Sequence, residues 1–100
     1  MMTIHSLDVD GIIFTGFHLE LPAAHLFIIT NDIGFIVSTT MGMDFIKTAD
    51  AQQTVIAGMV REIDGVDELL QAPLMDMTAC AKRCGWSIGM TGKEALLRIS

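Results

Sequence analysis

Basic residues are scarce in this chain: six Lys and Arg stand against twelve Asp and Glu, a net charge of -6. A surface that repels phosphate argues against nucleic acid, whose binders cluster Lys and Arg on one face. The deficit is uneven. Lys47 is the first basic residue, whereas Asp8, Asp10, Glu20, Asp32, Asp44 and all three histidines precede it, which describes an acidic, solvated sheet surface. No run approaches the roughly 18 consecutive apolar residues a membrane-spanning helix needs, so no membrane partner is expected. Residues 1–5, Met-Met-Thr-Ile-His, lack a basic stretch followed by an apolar core, and the expected location is cytoplasmic. Only Cys80 and Cys84 could form a disulfide. One helical turn apart, with nearly parallel Cβ directions, they suit a bond poorly and are expected as two free, buried thiols.

What is abundant is apolar: 51% of the 100 residues are hydrophobic and 18% charged. That describes one compact domain over residues 1–100, with no linker, repeat or low-complexity stretch. A chain this short leaves much of its surface in water, so the apolar excess points to self-association.

The first half alternates strand-like runs with turn residues. Asp10-Gly11 is a hairpin signal between residues 4–9 and 12–21, predicting Val9 opposite Ile12 and Leu7 opposite Phe14. Pro22 breaks the second strand, and residues 26–30 and 35–39 read as a second hairpin around Asn31-Asp32-Ile33-Gly34. Their apolar residues are continuous rather than alternating, so both sheet faces need cover there. Asp44 is placed to cap a short helix to about residue 52, and residues 54–60 return to strand character. Asp64 suits the N-cap of residues 66–70, Pro73 the start of a further helix and Gly85 its stop. Strands first and helices later predict an α+β, two-layer sandwich: a largely antiparallel sheet with helices packed on one face.

The clearest local motif is Thr91-Gly92-Lys93-Glu94, a capping box opening the last helix. The turn from Gly89 to Lys93 also offers N–H groups beside a cationic side chain, so Gly89, Thr91, Gly92 and Lys93 are candidate ligands for a small anion. It is not a phosphate-binding Walker loop, because Ser87 stands where Gly is required and Glu94 where Ser or Thr would hold magnesium. Ser38 and Thr39 offer hydroxyls without an adjacent base and join the candidate ligand set. Cys80 and Cys84 lack a second ligand pair, and His5 and His18 approach only diagonally across the first hairpin, so no metal and no cofactor is expected. The eight methionines are irregularly spaced and read as core and interface filling.

Residues 26–36, Ala57-Gly58, Ala72-Pro73-Leu74 and above all residues 89–96, Gly-Met-Thr-Gly-Lys-Glu-Ala-Leu, resemble the YunC-like family, small proteins of unknown function. The resemblance implies a two-layer fold built from helices and strands and no established activity. Members of that family carry Cys-Gly where this chain has Ser38-Thr39 and Arg where it has Met59, so a function needing that thiol or guanidinium does not transfer. The reading is a small self-associating protein, dimeric in preference to other assemblies, that binds a small ligand or a protein partner. The alternative is a small metabolite-processing enzyme using Ser38 and Thr39 or the turn between Gly89 and Gly92.

Overall fold

The Asp10-Gly11 turn sets the register of the first half of the sheet. In a computed structural model of the chain, which describes residues 2–22, 24–38, 46–48, 51 and 54–100, Asp10 and Gly11 have φ of 53° and 87°. That left-handed pair is what a type I′ hairpin turn demands. Asp8 Oδ1 accepts from the Gly11 N–H at 2.7 Å and closes it. Strand β1 (Met2–Val9) therefore meets β2 (Ile12–Leu21) with Val9 opposite Ile12 and Leu7 opposite Phe14, as expected. Strand β3 (Ala24–Thr30) starts earlier than residue 26, with Ala24 paired to Leu21. Pro22 falls in the turn between them, where its missing N–H costs no ladder bond.

Asn31 shapes the next turn. Its Oδ1 accepts from the N–H groups of Ile33 and Gly34 at 2.8 and 3.0 Å, while its Nδ2 donates to the Ile99 carbonyl at 3.0 Å. Strand β4 (Gly34–Ser38) follows antiparallel to β3. Its other neighbour, β5 (Ile56–Val60), is parallel to it, a pairing that a tight turn cannot make and that needs a crossover. In that crossover Ile46, Lys47 and Thr48 are helical; Asp44, the expected cap, lies outside the described residues, as does Thr39.

Strand β6 (Leu74–Met77) completes the sheet, antiparallel to β5, in the order β1-β2-β3-β4-β5-β6. Here Pro73 was expected to open a helix. It instead bridges to Thr91, because residues 74–77 pair with the free edge of β5 and bury Leu74 and Met77. Three short helices are present among the described residues outside the crossover: α1 (Val66–Leu69), α2 (Ala79–Arg83) and α3 (Gly92–Arg98). Thr78 caps α2: its buried Oγ1 accepts from the Ala81 N–H at 3.2 Å and donates to the Val55 carbonyl at 2.7 Å. Gly85, φ 98°, lies just past its end. Asp64 does not cap α1, whose N-cap is Gly65 without a side-chain bond.

The three helices share one face of the sheet. Phe14, Phe27, Ile29 and Ile36 from the strands pack there with Leu69, Ala81 and Leu96. On the opposite face Leu26, Val37, Ala57 and Met59 form a smaller cluster with Ile46 of the crossover. The architecture is thus α+β in two layers. Both thiols are free, but Cys84 is exposed and Cys80 half-buried, so the expectation of two buried thiols fails: a helix of five residues turns only one face to the core. No helix among the described residues is long and apolar enough to cross a membrane.

Candidate functional site

The capping box is present. Thr91 Oγ1 accepts from the Glu94 N–H at 3.2 Å, and Glu94 Oε1 accepts from the Thr91 N–H at 3.3 Å. The neighbouring N–H groups are engaged as well: Gly89 donates to Leu74, Met90 to Ser87, Gly92 to Ala72 and Lys93 to Leu70, all to backbone carbonyls at 2.8 to 3.2 Å. Lys93 Nζ pairs with Asp10 Oδ1 at 3.3 Å, with both side chains about half exposed. Gly92 is a close approach rather than an open cradle, since a Cβ built there would run into the Leu69 carbonyl oxygen. Ser38 ends β4 on a different part of the sheet; it is fully buried, and its Oγ accepts from the Phe27 N–H at 3.4 Å. The structure therefore does not bring Ser38 to the Gly89 turn.

A polar cleft lies elsewhere. His5, Leu7, His18 and Phe27 from β1 to β3 face Asp64, Gly65, Val66 and Asp67 at the start of α1 across about 270 Å³. The hairpin register explains why. His5 stands opposite Gly16 and His18 two residues along the same strand, so both imidazoles project from one face, diagonally related, as the spacing predicts. Gly16 lets α1 descend beside them: a Cβ there would touch Leu7 Cδ1 and Val66 Cγ1 at 3.0 Å each. The β2–β3 register places His18 opposite Phe27, and the two rings stack with centroids 4.3 Å apart and planes at 17°. His18 Nε2 is 2.9 Å from His25 Nδ1, one ring donating to the other. The part played by His25 was not read from the sequence; the pairing of Glu20 with His25 places it. No group of three His, Cys, Asp or Glu side chains suited to a metal ion occurs among the described residues.

The sheet face opposite α1, α2 and α3 carries an open apolar trough of about 380 Å³, lined by Met2, Phe17, Leu19, Leu26, Ile28, Thr30 and Phe35. Met2 and Ile4 beside it are 58% and 60% exposed.

A six-stranded sheet with α1, α2 and α3 on one face, a histidine-lined cleft beneath α1 and an apolar trough behind define a small α+β domain. The chain belongs to the family described as Domain of unknown function (DUF1805), whose model matches residues 43–99. It is 28% identical over 99 residues to the uncharacterized protein YunC of Bacillus subtilis, covering 99% of this chain and 98% of that one. Its fold is similar to the crystal structure of a protein of unknown function, TA1206, from Thermoplasma acidophilum, with a TM-score of 0.87 at 22% identity over 100% of this chain and 94% of that one.

Proposed function

We propose that this protein is a cytoplasmic homodimer that associates through the apolar face of its sheet and receives a small ligand in the cleft of His5, His18 and Phe27. The observation that carries the association is the trough behind the sheet, whose lining contains one polar side chain, Thr30, and no charged one. Contiguous apolar surface with a polar rim marks contact surfaces in soluble proteins. A chain of net charge -6 repels its own copy over most of its surface, and an uncharged face is where two copies meet without bringing carboxylates together. Face-to-face packing of two such sheets closes on itself by a twofold axis, the commonest symmetry of identical chains.

Support for the ligand cleft comes from its mixture of imidazole, carboxylate and aromatic groups at a concave, water-accessible place. Under this reading the turn at residues 89–93 is a junction joining α3 to β6 and α1, because its five N–H groups all donate within the chain. Native mass spectrometry of the unmodified protein tests both parts. The expected result is a dimer carrying a small molecule that His18→Ala loses. A bare monomer throughout the micromolar range would refute the proposal.

A further inference from the structure

The two edges of the sheet are finished differently. At the β6 edge the turn before α3 occupies the backbone: the Leu74 N–H donates to the Met90 carbonyl at 2.8 Å, the Leu74 carbonyl accepts from the Gly89 N–H at 3.0 Å, and Pro73 bridges to Thr91. The β1 edge has no such cover, since β1 pairs only with β2 among the described residues. A two-residue turn makes Val9 and Ile12 a hydrogen-bonded pair, and alternation along the strand then turns the N–H and C=O groups of Ile4 and Ser6 away from β2. Every residue from Met2 to Ser6 is exposed. Sheets blunt such edges with Lys, Pro, a bulge or a very short strand. Strand β1 is 8 residues long, holds no Lys or Pro and runs in unbroken register.

We propose that the outer edge of β1 receives an extended segment of another protein as an added strand, in which apolar residues alternate with Lys or Arg. The two sides of β1 set that alternation. On the trough side stand Met2 and Ile4, 58% and 60% exposed, and an apolar side chain placed beside them leaves water together with them. On the helix side stand Thr3 and His5, and His5 shares its cleft with Asp64 and Asp67. The sign of the partner follows from the whole region: no Lys or Arg precedes Lys47, and the chain carries a net charge of -6. A second copy would offer its own β1, which holds Asp8 and no Lys or Arg, whereas a basic segment meets attraction along the edge. Main-chain bonds then supply affinity, and the alternating side chains supply selectivity. The inference does not depend on the dimer or on the cleft ligand, because the groups that bond an added strand lie in the plane of the sheet and on neither face.

The test is a nuclear magnetic resonance titration of the intact protein with three short synthetic peptides: alternating Lys and Val, alternating Glu and Val, and the first composition rearranged as a block of Lys and a block of Val. The expected result is saturable binding of the alternating Lys peptide alone. Hydrogen exchange at the Ile4 and Ser6 amides should then slow about tenfold or more, while the His5 and Leu7 amides, already bonded within the hairpin, change little. Ile4→Pro removes one outward N–H without breaking a bond to β2 and should weaken binding several-fold, as the loss of one hydrogen bond does. Ser6→Lys, at an exposed position, keeps the backbone intact and should weaken the same peptide by charge repulsion, which separates loss of the edge from loss of the fold. Equal binding of the Glu peptide or the block peptide, or no saturable binding of any, would overturn the proposal. Slow exchange at Ile4 and Ser6 in the protein alone, with a mass above that of the dimer, would overturn it in favour of edge pairing between copies.

Discussion

At the scale of single residues, the turn before α3 shows how one short motif combines a legible part and a hidden part. Thr91 and Glu94 satisfy each other's backbone across three positions, which is why the pair is readable without a structure. Thr91→Ala should cost about 0.5 to 2 kcal/mol, measured by chemical denaturation, without disturbing assembly. Gly92 is a candidate ligand in the sequence because the N–H groups of its turn lie beside the cationic Lys93. Its environment is made instead by the Leu69 carbonyl, against which an added Cβ has no room, and a contact 23 positions away along the chain leaves no local trace. Gly92→Ala should therefore destabilise by about 1 to 3 kcal/mol through overpacking. A fully stable Gly92→Ala protein would contradict this packing account. The histidines divide in the same way: His5 and His18 share a hairpin whose register Asp10-Gly11 announces, whereas His25 lies beyond Pro22, and only the pairing of Leu21 with Ala24 brings it to His18.

The elements of the first half were legible because each strand pairs with the next through a short turn. Gly11 has open space around the position of a Cβ and a φ of 87°, so Gly11→Val would suffer from backbone strain alone, on the order of 1 kcal/mol or more. Its expected signature is a lowered denaturation midpoint with an unchanged slope. The second half was less legible. The crossover into a parallel β5 cannot be inferred from local pattern, and β6 needs the edge of β5 before residues 74–77 have a reason to be extended. Pro73 and Asp64 were each assigned to helix starts on propensity, and in both places tertiary pairing or a neighbouring residue, Thr78 or Gly65, took the role.

For the molecule as a whole, the organising feature is the contrast between its two sheet faces. Three helices close one face, leaving the cleft at its edge; the other has cover from Ile46 over Leu26, Val37, Ala57 and Met59 and an open trough across β1 to β4. Continuous apolar runs in β3 and β4 already implied that both faces need cover, and in the proposed dimer a second copy would supply the missing layer. Removing apolar surface from water contributes roughly 25 cal/mol per Å² before the costs of association. Placing a carboxylate in the trough by Phe17→Glu should abolish that contribution, since two buried like charges would face each other across the axis. Light scattering after size exclusion, at micromolar concentration and moderate salt, is the most direct measurement. The expected mass is twice that of the 10.9 kDa chain, falling to the single chain for Phe17→Glu; a wild-type species of 10.9 kDa throughout that range would contradict the dimer.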